Sequence, residues 1–159
     1  IKAYALLDET LKAQYELVII GGKGWGGVNL AEEISQLGLN DYVKIENYLS
    51  PDMLLAYYQN AYCLLMPSIY EGFGMPIIEA QSFGVPVITS HCSSMPEVAG
   101  DGALYVNPFD IEDIHRGIST LLLDATLRDA LSTKAQHNAS RFNWEKTAAA
   151  VVDAVFKDI

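Results

Sequence analysis

Residues 62–90 read "YCLLMPSIYEGFGMPIIEAQSFGVPVITS", and their pattern decides the fold. "YCLLM" (62–66) is a short apolar run of the kind that forms a buried strand. "MPIIEAQSF" (75–83) reads as a short helix ended by Gly84, and "PVITS" (86–90) as a second strand. Between the first strand and the helix stand Glu71, Gly72 and Gly74; Pro76 opens the helix, and a second acid, Glu79, follows one turn later.

The same alternation extends in both directions. "ELVII" (16–20) and "YVKIE" (42–46) read as strands ahead of this stretch, and "ALYV" (103–106) as one behind it. A helix to about Leu37 follows the first strand. Before "DMLLAYYQ", Ser50 is placed as an N-cap and Pro51 at the first helical position. Residues 1–15 carry Ile1, Tyr4, Ala5, Leu11 and Tyr15 on roughly one helical face. From Asp110 onward the chain reads as helix, to about Asp124, then to about Phe142, then through "WEKTAAAVVDAVFKD". Strands alternating with helices predict one α/β domain over 1–159, a Rossmann-like parallel sheet with helices on both faces. A helix that opens such a domain normally follows a strand. A first strand, and an earlier domain, are therefore expected upstream of Ile1.

Composition agrees with a folded domain. The chain has 159 residues, of which half are hydrophobic and 19% charged, enough to bury a core. A net charge of −10 argues against binding nucleic acid or an acidic membrane surface without sequence preference. The two cysteines form no disulfide framework: Cys63 reads as core and Cys92 as loop, and a reducing compartment is the default. No apolar run approaches the roughly 18 residues that span a bilayer.

Two loops compete as phosphate sites, since ligands of open parallel sheets bind beyond the strands' carboxyl ends. In "GGKGWGG" (21–27), Gly22, Gly24 and Gly27 spell G-x-G-x-x-G, and Glu46 ends the next strand where a ribose-binding acid would sit. That is a dinucleotide fingerprint, and an NAD-binding oxidoreductase is the reading it favours. Trp25 weakens it, being bulky where backbone must approach a pyrophosphate; a plain glycine turn is the alternative.

The second loop is residues 71–79. Gly72 and Gly74 let the backbone bend so that amides near Phe73, Gly74 and Met75 face outward, and the helix start at Pro76 attracts an anion. Glu71 is repelled by phosphate but suits hydroxyl groups. Glu79 lies ~4.5 Å along the helix axis from Pro76 and would reach a second set of hydroxyls. The spacing fits a ligand with sugar at one end, diphosphate in the middle and ribose at the other. Either glutamate alone is accounted for by helix electrostatics, worth ~0.3–1 kcal/mol. As a pair framing G-F-G they are not.

These residues, with "PEVAGDGA" (96–103) and "FNWEKTA" (142–148), resemble the donor-binding half of a retaining glycosyltransferase of family 4, also called group 1. The resemblance runs from about Glu16 to Trp144 and implies the C-terminal half of a two-domain GT-B fold, without its first strand and without the acceptor-binding N-terminal domain. It further implies that Glu71 contacts the transferred sugar and that the backbone of Gly72, Phe73, Gly74 and Met75 holds sugar and diphosphate. Glu79 would bind the ribose, Tyr48 and Leu49 would line the base pocket, and Gly22 would border the nucleotide as a tight turn. Lys23 is the one nearby basic candidate for the diphosphate, with a solvated surface lysine as the plainer reading. Glu97 and Gly100 would shape their loop. The family's diphosphate-neutralising Arg and Lys would fall upstream of Ile1, which reconciles a phosphate ligand with a charge of −10.

The implied reaction moves a hexose, with a lean toward mannose, from a GDP- or UDP-linked donor to an acceptor hydroxyl with retained configuration. The implied path is front-face, and Glu71 is catalytic only in orienting the sugar. No cofactor is expected besides the donor substrate. No metal is expected either, since the chain has no Asp-x-Asp and its His91, His115 and His137 are scattered. The implied partners are the nucleotide sugar and the N-terminal domain. Localisation is expected to be cytoplasmic, with any membrane association through the parent protein. A non-catalytic GT-B-like binding module remains a further alternative. So does a nucleotide-sugar epimerase.

Overall fold

The structure is a computed structural model that describes residues 1–21 and 29–157. Five strands are described: β1 (Leu17–Ile20), β2 (Val43–Glu46), β3 (Leu64–Met66), β4 (Val87–Ser90) and β5 (Ala103–Val106). Nine α-helices are described: α1 (Lys2–Ala5), α2 (Glu9–Gln14), α3 (Leu30–Gln36), α4 (Pro51–Asn60) and α5 (Met75–Ser82), then α6 (Met95–Ala99), α7 (Ile111–Leu123), α8 (Ala125–Ala139) and α9 (Trp144–Phe156). Every strand pair is parallel, as the alternation predicts.

Side-chain alternation in the three-stranded part explains why helices cover both faces. Ile88, Leu104 and Val106 pack on one side with Ile118, Leu121 and Tyr4, from α7 and α1. Val87 and Ala103 pack on the other with Ile77 and Val98, from α5 and α6. Because successive strand residues point to opposite faces, β4 is apolar on both and fully buried. Fully burying a side chain such as Ile88 contributes about 1.5–3 kcal/mol.

Local signals set most helix ends. The Ser50 hydroxyl accepts from the Met53 amide, with Pro51 in the first turn of α4. The Asp110 carboxylate accepts from the amides of Glu112 and Asp113 at the start of α7. Gly84, φ +71°, follows α5, a conformation glycine takes without a Cβ penalty. The opening segment differs from the single helical face expected. It breaks into α1 and α2, because the Asp8 carboxylate accepts from the Leu11 amide and starts a new helix. Helix α6 also forms within the stretch read as loop, with Pro96 in its first turn. Cys63 does pack in the core, and burial pushes its thiol up to about 12.

The strands hydrogen-bond as two sheets, β1–β2 and β3–β4–β5, where one sheet was expected. Among the described residues, one edge of β1 and one edge of β3 carry no strand partner. Both border a single groove of about 1060 Å3, lined among others by Val18, Ile20, Leu65, Ile88 and Ile114. Among the described residues no helix is long and apolar enough to cross a membrane.

Candidate functional site

The carboxyl ends of β3 and β4 carry the site. Beyond Met66 the chain runs through the loop 67–74 and turns into α5 at Gly74, which sits at φ +101°, ψ 46°. A Cβ there would lie 3.3 Å from Ile77 Cδ1 in addition to the strain of the left-handed region, so glycine is required for the turn. Among the described residues no acceptor takes the backbone N–H of Gly72, Phe73, Gly74 or Met75. These donors stand at the start of α5, where the helix dipole adds positive potential. The arrangement is an anion cradle.

The two glutamates flank it, each with one carboxylate oxygen engaged. The Ser68 hydroxyl donates to Glu71 Oε1 at 3.0 Å. The Tyr58 hydroxyl donates to Glu79 Oε2 at 2.8 Å, and burial, then Glu79 itself, raise the Tyr58 pKa. Each carboxylate is thus oriented by a neutral donor and keeps its second oxygen for hydroxyl groups. Tyr57 and Tyr58 of α4 thus both reach carboxylates, while Tyr62 packs edge-on against Tyr15 with centroids 4.7 Å apart.

Phe73 is exposed but anchored, its ring 6.0 Å from that of Phe142 at 85°. "FNWEKTA" therefore begins by bracing the G-F-G turn. "PEVAGDGA" acts one layer back. Asn138 of α8 donates to Gln81 Oε1 at 2.6 Å and to the Val98 carbonyl at 2.8 Å, and Gln81 donates to the Ala99 carbonyl at 2.8 Å. Gly100, φ +53°, and Gly102 pass against α8 where no side chain fits. Glu97 itself is exposed. Sequence reasoning missed Asn138 and Gln81, whose partners lie far along the chain.

The remaining expected residues divide. Tyr48 is 90% exposed and Leu49 half-buried, both just beyond β2. Gly22 and Lys23, with the rest of the glycine loop through Val28, lie outside the described residues. Glu46, the acid on which the dinucleotide reading depends, is already committed. Lys44 Nζ lies 2.6 Å from its Oε1, and the Tyr57 hydroxyl donates to the same oxygen at 3.0 Å. These two bonds hold its carboxyl below the usual range. Among the described residues no group of three His, Cys, Asp or Glu could hold a metal ion.

Residues 1–138 match the family described as Glycosyl transferases group 1. The chain belongs to that family. O-antigen chain mannosyltransferase B of Escherichia coli is 32% identical to this group 1 domain over 154 residues, which cover 97% of the chain and 40% of that relative. The C-terminal domain of a glycosyl transferase group 1 family protein (LpcC) from Francisella tularensis shares the fold at TM-score 0.75 and 21% identity, over 88% of this chain and 75% of that one. Anabaena Alr3699/HepE, solved in complex with UDP and glucose, shares it at TM-score 0.82 and 21% identity, over 96% of this chain and 42% of that one. The fold is one Rossmann-like half of GT-B architecture, and the chain spans 40% of the curated relative it matches.

Proposed function

We propose that this group 1 domain is the donor-binding, C-terminal part of a retaining hexosyltransferase, holding a nucleoside diphosphate sugar at residues 71–79. One observation carries the reading: unpaired backbone donors of Gly72–Met75 lie between two carboxylates, each with an oxygen free for hydroxyl groups. Phosphate suits the donors and hydroxyls suit the acids. Glu79 takes the ribose and Glu71 the transferred sugar. Tyr48, whose ring is solvent-facing, and Leu49 offer a surface to the base, and Gly22 and Lys23 border the nucleotide. The relative named a mannosyltransferase supports hexose as the group moved, and the HepE complex supports a nucleotide donor.

Within such a site catalysis is positioning together with stabilisation of charge on the leaving diphosphate. The amides at the start of α5 supply part of that stabilisation. Arg and Lys side chains from outside this chain supply the rest. A retained configuration fits front-face attack with the diphosphate taking the acceptor's proton. The groove between β1 and β3 is the seat of a preceding strand of the same polypeptide. That strand would pair with both open edges and lead into α1 by a right-handed crossover. The working compartment is the cytoplasm.

Calorimetric titration of this chain with GDP, UDP, ADP and NAD tests the reading. Binding of GDP or UDP, with NAD weaker by tenfold or more, is the expected result and names the base. Preferential binding of NAD overturns it.

A further inference from the structure

Beyond the acids and glycines, a row of hydroxyls runs along the carboxyl end of β4 and into the loop after it. Each one donates to a backbone carbonyl at the end of β3 or in its connection to α5. Thr89 Oγ1 donates to the Met66 carbonyl at 2.9 Å and Ser90 Oγ to the Ser68 carbonyl at 2.5 Å. Ser93 Oγ donates to the Glu71 carbonyl at 2.9 Å. Ser94 Oγ lies 2.9 Å from the Phe73 carbonyl and 3.1 Å from that of Glu71. A hydroxyl has one proton. Ser94 therefore serves Phe73, the nearer, while Ser93 serves Glu71, and both carbonyls are satisfied.

Peptide planarity makes this arrangement directional. In a trans peptide the C=O of one residue and the N–H of the next point in opposite directions. Drawing the Glu71 and Phe73 carbonyls toward the serines therefore turns the amides of Gly72 and Gly74 away from them. Those are the amides left without acceptors. Ser93 reaches its carbonyl from φ +52°, the one positive φ at a non-glycine among the described residues. A serine held there is strained, and its hydroxyl is committed to the donor loop.

We propose that Ser93 and Ser94 are positioning residues for donor binding: by anchoring two alternate carbonyls of the G-F-G turn, they aim its amides at the diphosphate. The donor half of this statement rests on the function proposed above; the hold on the loop does not. Hydrogen exchange separates the two. In Ser94→Ala, the amide of Ile77, which donates to the Gly74 carbonyl of the turn at 3.0 Å, is expected to exchange about tenfold faster, with the thermal midpoint moved by no more than about 2 °C. Affinity for UDP or GDP, whichever the unaltered chain prefers, is expected to fall about tenfold. Ser94→Thr, which keeps the hydroxyl, is expected to restore both. Ser93→Gly relieves the strained φ and removes the second hydroxyl, so it folds and serves as an independent check with the same local exchange signature.

Unchanged exchange at Ile77 in both Ser94→Ala and Ser93→Gly overturns the proposal. So does faster exchange with undiminished nucleotide affinity. If the unaltered chain binds no nucleotide, the functional reading fails. Exchange then decides alone whether the serines hold the turn.

Discussion

Replacing Glu79 by alanine is expected to weaken nucleoside diphosphate binding by about 10- to 100-fold. A hydrogen bond to a charged group contributes about 1.5–3 kcal/mol, and 1.4 kcal/mol is a factor of ten. The residue is half-buried on α5, and its Oε2 already accepts from Tyr58 at 2.8 Å, so no rearrangement is needed before the ligand arrives. Calorimetry on ribo- and 2′-deoxynucleotides makes the assignment specific. The unaltered chain should discriminate against the deoxy ligand, and Glu79→Ala should not. Equal discrimination in both would remove Glu79 from the ribose. Tyr58→Phe leaves the carboxylate in place but unanchored, and a loss of only about threefold is expected.

Gly102→Ala is expected to destabilise the fold by about 3 kcal/mol, through overpacking alone. A Cβ at that position would lie 2.6 Å from Ala135 Cα and 2.8 Å from Ala135 N, both backbone atoms of α8. A helix cannot yield as a flexible side chain can, so α8 must move away from the seam where Asn138 and Gln81 meet. For a domain of this size the cost corresponds to a fall of about 6–12 °C in thermal midpoint. Gly72→Ala is the control: nothing lies within 4 Å of a Cβ there. Its stability should change by less than about 1 kcal/mol. A Gly102→Ala protein melting with the control would show that α8 adapts.

Legibility in the sequence tracked the range of each interaction. The strands at 17–20 and 64–66 were readable as unbroken apolar runs, and those at 43–46, 87–90 and 103–106 as short segments rich in β-branched or aromatic residues. Ser50 and Asp110 were readable because a cap acts within three residues. The pair Glu71 and Glu79 was readable because both belong to one loop–helix unit with a glycine turn between them. Tyr58 was not: its partner lies 21 residues away on another helix, and a tyrosine on a helix face signals packing as readily as hydrogen bonding. The serines at 93 and 94 reach back 22 and 21 residues, and Asn138 spans 57 to Gln81. Sequence periodicity carries no record of such pairings. The division of the strands into two sheets was also hidden, because alternating strands and helices specify parallel pairing but not which edges meet.

The open edges of β1 and β3 have a consequence for handling the protein. Each presents unpaired main-chain groups beside apolar side chains, a template for adding strands from neighbouring molecules. What opposes such association is charge: at −10, two copies repel each other over about a Debye length. Salt shortens that length from about 30 Å at 0.01 M to about 10 Å at 0.1 M. Solutions should therefore stay monomeric when dilute in ions and gain larger species as salt is added, which sedimentation velocity would resolve. For this chain, ionic strength is a guard against aggregation only when it is kept low.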